Sequence, residues 1–82
     1  MLTEEEKKFV DKYRTCDEFH IVRRSEDGHC PGSFYKHQIQ AIKYAEPYEK
    51  NLLSCCLGNL VAVVDFFQKV SVSSVNDYLR RD

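Results

Sequence analysis

The sequence predicts an all-α protein, a small compact bundle of four to five helices. Apolar residues recur at helical spacing, capping residues precede these stretches, and three glycines and two prolines leave long segments uninterrupted. The alternative is an α-dominated fold with a minor extended segment near residues 19–24. A chain of 82 residues allows a single domain, 1–82, with a thin core.

The first helix is predicted over about residues 4–17. Thr3 and Glu6 have the spacing of a capping box, in which each side chain bonds the other residue's backbone amide. Helical spacing then runs through five residues: Phe9, Val10, Tyr13, Cys16 and His20. Residues 19–24 either continue this helix or form a short extended segment, because aromatic and β-branched residues also suit strands.

A second helix is expected after a loop at 25–32, which contains Asp-Gly and Pro-Gly pairs. Ser33 can cap this helix, and its apolar stripe consists of Tyr35, Ile39 and Ile42. The helix is predicted to end at Glu46, because the residue before a proline avoids helical geometry. Pro47 suits the first position of the next helix.

Segment 52–67 is the most apolar part of the chain, with twelve apolar residues among sixteen. Its length favours a helix, bent or restarted at Gly58-Asn59. It is either a central buried helix or a helix with one side exposed for another chain, since helices that are apolar all round are usually buried. A membrane span is not expected, because the segment is shorter than about 20 residues and contains Ser54, Asn59 and Asp65.

The last predicted helix is short and contains Val75, Tyr78 and Leu79, with Ser71 or Ser73 as its cap. Residues 70–79 resemble the turn and recognition helix of a helix-turn-helix DNA-binding family, although Lys69 stands where that turn usually has glycine. This resemblance implies core positions at Val70, Val75 and Tyr78. It also implies contacts to the groove or to phosphates from Ser73, Ser74, Asn76, Arg80 and Arg81.

Charge and motifs argue against catalysis and against general affinity for phosphate. Twelve basic and thirteen acidic residues give a net charge of -1, which provides no overall attraction to nucleic acid or to an anionic membrane. There is no glycine-rich phosphate loop, nucleophile elbow or paired-carboxylate motif. The sequence therefore predicts no enzyme activity and no cofactor.

A metal site is not predicted, because the nitrogen and sulfur ligands lack the paired close spacings of zinc sites. Whether they nevertheless assemble into such a site is left open by the sequence. These residues are Cys16, His20, His29, Cys30 and His37. Acidic residues follow Met1, unlike a signal peptide, so we expect free thiols and an intracellular, cytoplasmic location, or a nuclear one in a eukaryote.

These observations favour a non-catalytic protein–protein interaction module: a small adaptor, subunit or inhibitor, of the kind found among viral and phage regulators. Its partner would be a second copy, forming a homodimer, or a larger protein, and not a membrane. The predicted partner-binding residues form an apolar helical face: Leu57, Leu60, Val61, Val64, Phe66 and Phe67. The alternative is a helix-turn-helix transcriptional regulator that binds DNA through residues 59–81.

Overall fold

The computed structural model describes residues 1–81, which form five α-helices and no strand. The helices are α1 (Glu4–Tyr13), α2 (Asp17–Glu26), α3 (Ser33–Lys43), α4 (Pro47–Lys69) and α5 (Val72–Arg81). Helix accounts for 79% of the structure, which confirms the predicted all-α bundle. Residues 19–24 lie inside α2, so the extended alternative is wrong.

Helix α1 begins at the predicted capping box. The amide of Thr3 donates to Glu6 Oε1 at 2.8 Å, and the amide of Glu6 donates to Thr3 Oγ1 at 3.2 Å. The prediction that this helix reaches residue 17 is wrong. It ends at Tyr13, and the amide of Cys16 donates to the Tyr13 carbonyl at 2.9 Å in a tight turn before α2.

The break between α1 and α2 follows from what the core must bury. Val10 and Phe19 are both fully buried. They are nine residues apart, so on one straight helix they would point in directions about 180° apart. A continuous helix could therefore bury only one of them against the same core, and the turn at 14–16 allows both to face inward.

The second predicted helix corresponds to α3, with two corrections at its ends. Gly32 is the N-cap, and Ser33 is the first helical residue and forms no capping hydrogen bond. The helix ends at Lys43 rather than Glu46, and the amide of Tyr44 still donates to the Gln40 carbonyl at 3.2 Å. Because Pro47 restricts the residue before it, Glu46 is extended (φ −71°, ψ 159°).

Helix α4 starts at Pro47, as predicted, and is bent sharply at Leu57, where φ is −126° and ψ is 37°. Lys50 Nζ lies 2.9 Å from Asp65 Oδ1, although fifteen residues separate them. A straight helix would place their Cα atoms about 22 Å apart, too far for this ion pair. The two halves of α4, 47–56 and 58–69, therefore fold toward each other. The predicted bend is confirmed, but it lies at Leu57 rather than at Gly58-Asn59.

The core is built around the second half of α4, against which α2 and α3 pack. Phe67 lies 5.5 Å from Phe19 between ring centroids, and Phe66 stacks on Phe9 at 4.2 Å. The buried apolar residues are Val10, Phe19, Val22, Ile39, Ile42, Leu60, Val61, Val63, Val64, Phe66, Phe67, Val70 and Val75. They come from all five helices and from the turn before α5.

Helix α4 is also the one helix within residues 1–81 that is long and apolar enough, by length and composition, to cross a membrane. Core helices of water-soluble proteins pass the same test. The bend at Leu57 divides α4 into halves of about 15 and 18 Å, each shorter than the roughly 30 Å hydrocarbon core of a bilayer. In this conformation neither half alone would cross it.

Candidate protein-binding surface

The six residues predicted to bind a partner do not form an exposed face. Five of them are no more than 9% exposed and belong to the chain's own core: Leu60, Val61, Val64, Phe66 and Phe67. Leu57, at the bend, is half-buried and packs against that core. An apolar surface available to a partner must therefore lie elsewhere on the chain.

Such a surface lies on the first half of α4. Tyr48 and Leu52 are spaced four residues apart, share one side of the helix, and are each 68% exposed. Leu53 and Leu57 lie on the opposite side and pack against the core. The exposed side, called here the outer face of α4, consists of Tyr48, Leu52, Cys55 and Cys56.

The polar residues between these two apolar sides are mostly engaged within the chain. Lys50 forms its ion pair with Asp65, and the Ser54 hydroxyl donates to the Lys50 carbonyl at 2.8 Å. The Cys55 thiol donates to the Asn51 carbonyl at 3.7 Å. The first half of α4 is thus a helix with one apolar side packed against the core, a second apolar side in solvent, and polar groups that mostly bond within the chain.

A cleft of about 420 Å³ opens beside the outer face at the bend of α4. Phe34 forms part of its wall and is 64% exposed, and its ring meets that of Tyr35 edge-on at 5.4 Å. The lining residues are Asp17, Glu18, Phe34, Tyr35, Cys56, Leu57, Gly58, Asn59 and Leu60. Because Cys56 belongs to both, the outer face and the cleft form one continuous surface.

The residues of the DNA-binding alternative lie on α5, which follows α4 after a two-residue turn at 70–71. Ser73, Arg80 and Arg81 are exposed, whereas Ser74 and Asn76 are half-buried. Asp77 is exposed and lies within one helical turn of the first three, so a carboxylate sits in the middle of the candidate DNA-contacting side.

Asn76 takes part in a network that joins α5 to α2. Its Oδ1 accepts a hydrogen bond from Arg23 Nη1 at 3.1 Å, and Arg23 Nε donates to His20 Nδ1 at 3.4 Å. His20 Nε2 lies 2.6 Å from the Arg14 carbonyl, an acceptor, so Nε2 carries the proton. These contacts hold the turn at 14–16, α2 and α5 together, which gives Asn76 a structural role.

Within residues 1–81, no group of three or more His, Cys, Asp and Glu side chains lies close enough to hold a metal ion. The five candidate ligands, Cys16, His20, His29, Cys30 and His37, are accordingly not brought together. The ring of His20 is engaged with Arg14 and Arg23 instead. All four cysteines are free thiols.

The outer face of α4 and the adjoining cleft thus form one surface that carries three of the large apolar side chains exposed within residues 1–81: Phe34, Tyr48 and Leu52. The sequence pattern missed it, because the apolar run that drew attention begins at Leu52 and leaves out Tyr48. The available signal was the four-residue spacing of Tyr48, Leu52 and Cys56 on a helix whose other side is also apolar. No protein-family model, curated protein or solved structure matches this chain.

Proposed function

We propose that this chain is a non-catalytic protein–protein interaction module that binds through the outer face of α4, with a second copy of itself as partner. The observation that carries this proposal is the exposure of Tyr48 and Leu52, 68% each, on a helix whose opposite side already packs against the core through the half-buried Leu53 and Leu57. Grouped exposed apolar side chains are characteristic of interaction sites. Tyrosine is also enriched at the centres of protein interfaces.

A twofold arrangement suits this surface, because a homodimer brings the same patch of both copies together. Burying one such side chain yields roughly 1.5–3 kcal/mol, and each copy supplies two. Association costs an estimated 4 kcal/mol or more in lost freedom of motion. A dimer held by this face alone should therefore be weak, with a dissociation constant of micromolar order or higher.

The test is the molar mass in solution, measured by sedimentation equilibrium at concentrations from about 10 to 500 µM, which bracket the expected affinity. The mass should rise from 9.6 kDa toward twice that value. Leu52→Glu should keep the chain monomeric, because it places a charge in the contact. Gln40→Glu, which adds the same charge at an exposed position of α3, should leave dimerisation unchanged.

A wild-type chain with the monomer mass at every concentration would contradict the homodimer. The same holds if Leu52→Glu and Gln40→Glu behave alike. Both variants should retain the wild-type helical content in circular dichroism, since both positions are exposed. A reducing intracellular setting, cytoplasmic in our proposal, fits the four free thiols.

DNA binding is the second candidate, favoured by the succession of the second half of α4, a two-residue turn and α5. Asp77 weakens it, because its carboxylate would repel phosphate from the side that carries Arg80 and Arg81. Fluorescence anisotropy with labelled duplex DNA at low salt is the test. Affinity that falls steeply with salt and is weakened by Arg80→Gln would support this candidate, and undetectable binding would remove it.

A further inference from the structure

The cleft at the bend of α4 combines an aromatic wall with an acidic rim. We propose that it binds a basic side chain, preferably arginine, presented by a partner protein. This inference rests on the proposed function in one respect only, namely that the molecule carrying the arginine is a protein. It adds a second contact, of defined chemistry, beside the outer face of α4.

The aromatic wall is formed by Phe34 and Tyr35. Phe34 is exposed although it is a large apolar side chain, and its ring meets Tyr35 edge-on at 5.4 Å. The π face of an aromatic ring attracts a cation placed within about 6 Å of its centre. The half-buried Leu57 and the buried Leu60 also line the cleft and provide apolar surface for the methylene groups of an arginine stem.

The acidic rim comes from the first turn of α2, where Asp17 and Glu18 line the cleft. None of the nine lining residues is basic. The positive end of the α2 dipole is equivalent to roughly half a positive charge. The two carboxylates outweigh it, so the rim remains negative. The charge and the shape of the cleft are therefore complementary to a cation.

Glu18 differs from the other half-buried carboxylates in the part of the chain that the structure describes. Glu26 lies 2.8 Å from Lys43 Nζ, Asp65 lies 2.9 Å from Lys50 Nζ, and Glu6 accepts from the Thr3 amide. Glu18 is half-buried as well, yet it forms no ion pair or side-chain hydrogen bond within residues 1–81. An arginine guanidinium bound in the cleft would give Glu18 the hydrogen-bonding partner that the fold itself provides for Glu6, Glu26 and Asp65.

Arginine fits this cleft better than lysine. Its planar guanidinium stacks on aromatic rings and donates two parallel hydrogen bonds to a carboxylate, whereas an ammonium group is compact and strongly hydrated. The volume of about 420 Å³ is sufficient for one such side chain with part of its backbone. Lysine should bind in the same place, but more weakly.

The test is an NMR titration of the full chain carrying Leu52→Glu, so that self-association through the outer face cannot interfere. The probe is N-acetyl-arginine methylamide, and the uncharged isostere N-acetyl-citrulline methylamide is the control ligand. Amide shifts should concentrate around the cleft, at α2 and the bend of α4. The arginine compound should bind about five-fold more tightly than the citrulline compound, the combined effect expected from one weak ion pair and one cation–π contact.

Matched variants locate the binding. Glu18→Gln and Phe34→Ala should each weaken arginine binding by about three-fold or more. Glu5→Gln, which removes the same charge from the first turn of α1, and Tyr44→Ala, which removes an aromatic ring that is 85% exposed, should not. All four positions are at least partly exposed, so the variants should fold.

Equal affinity for the citrulline compound would overturn the proposal, as would shifts spread over all acidic surfaces or equal effects of Glu18→Gln and Glu5→Gln. The outcome is independent of dimerisation. A wild-type chain that stays monomeric but binds arginine at the cleft would refute the homodimer and leave this site standing. A chain that dimerises but does not bind arginine at the cleft would refute this site and leave the homodimer standing.

Discussion

Replacing Val64 with alanine tests whether the second half of α4 is core or interface. Val64 is 0% exposed within a single chain. The change removes two carbon atoms, worth about 1.6 kcal/mol at roughly 0.8 kcal/mol per buried methylene. The cavity left behind adds to this, so the expected loss is about 2–3 kcal/mol. For a domain of this size that is close to half of the total stability.

The assay is urea unfolding followed by far-UV circular dichroism, at a low protein concentration where the chain is monomeric. With a slope of about 1 kcal/mol/M, the midpoint should fall by roughly 2 M. The matched control is Leu52→Ala, which removes more atoms but from a side chain that is 68% exposed. Its cost should stay below about 0.5 kcal/mol.

Two results would refute this reasoning. If Val64→Ala leaves the unfolding midpoint in place but lowers the mass of a concentrated sample, Val64 acts between chains rather than within one. If Leu52→Ala destabilises a dilute monomer as much as Val64→Ala does, Leu52 is buried in solution. The outer face of α4 would then be covered by the chain itself.

Three further substitution experiments follow from local geometry. Removing either partner of the Lys50–Asp65 ion pair should cost about 0.5–1 kcal/mol, and a double-mutant cycle in urea should show coupling that shrinks in 1 M salt. Gly58→Ala should stabilise the protein by about 0.5–1 kcal/mol, because alanine favours the helix and its Cβ would meet no atom within 4 Å. Gly28→Ala should destabilise the protein, because the φ of 95° at this position strains any residue with a Cβ. Thr3→Ala should cost about 1 kcal/mol and lower the melting temperature by roughly 4–8 °C in calorimetry, because the capping box is lost.

The parts of the fold that local chemistry determines could be predicted from the sequence. Thr3 and Glu6 bond each other's amides, and Pro47 opens a helix, because both effects depend only on nearby residues. The end of α1 could not be predicted in the same way. Residues 14–16 contain no glycine or proline, and the break there arises because Val10 and Phe19 must both reach a core assembled by distant helices.

The six residues predicted to bind a partner do not form an exposed face, because the apolar stripe does not continue through the bend of α4. Cys56, Leu60 and Val64 are spaced four residues apart and would share one side of a straight helix. In the structure Cys56 is exposed, whereas Leu60 and Val64 are buried. The backbone at Leu57 leaves helical geometry, so the side that faces the core in the second half of α4 faces solvent in the first. Spacing along the sequence gives the angle between two side chains on a helix, but it does not show which side the rest of the chain covers. Segment 52–67 therefore differs between the two halves of α4: the second half is the central buried helix, and the first half has an apolar side that is exposed to solvent.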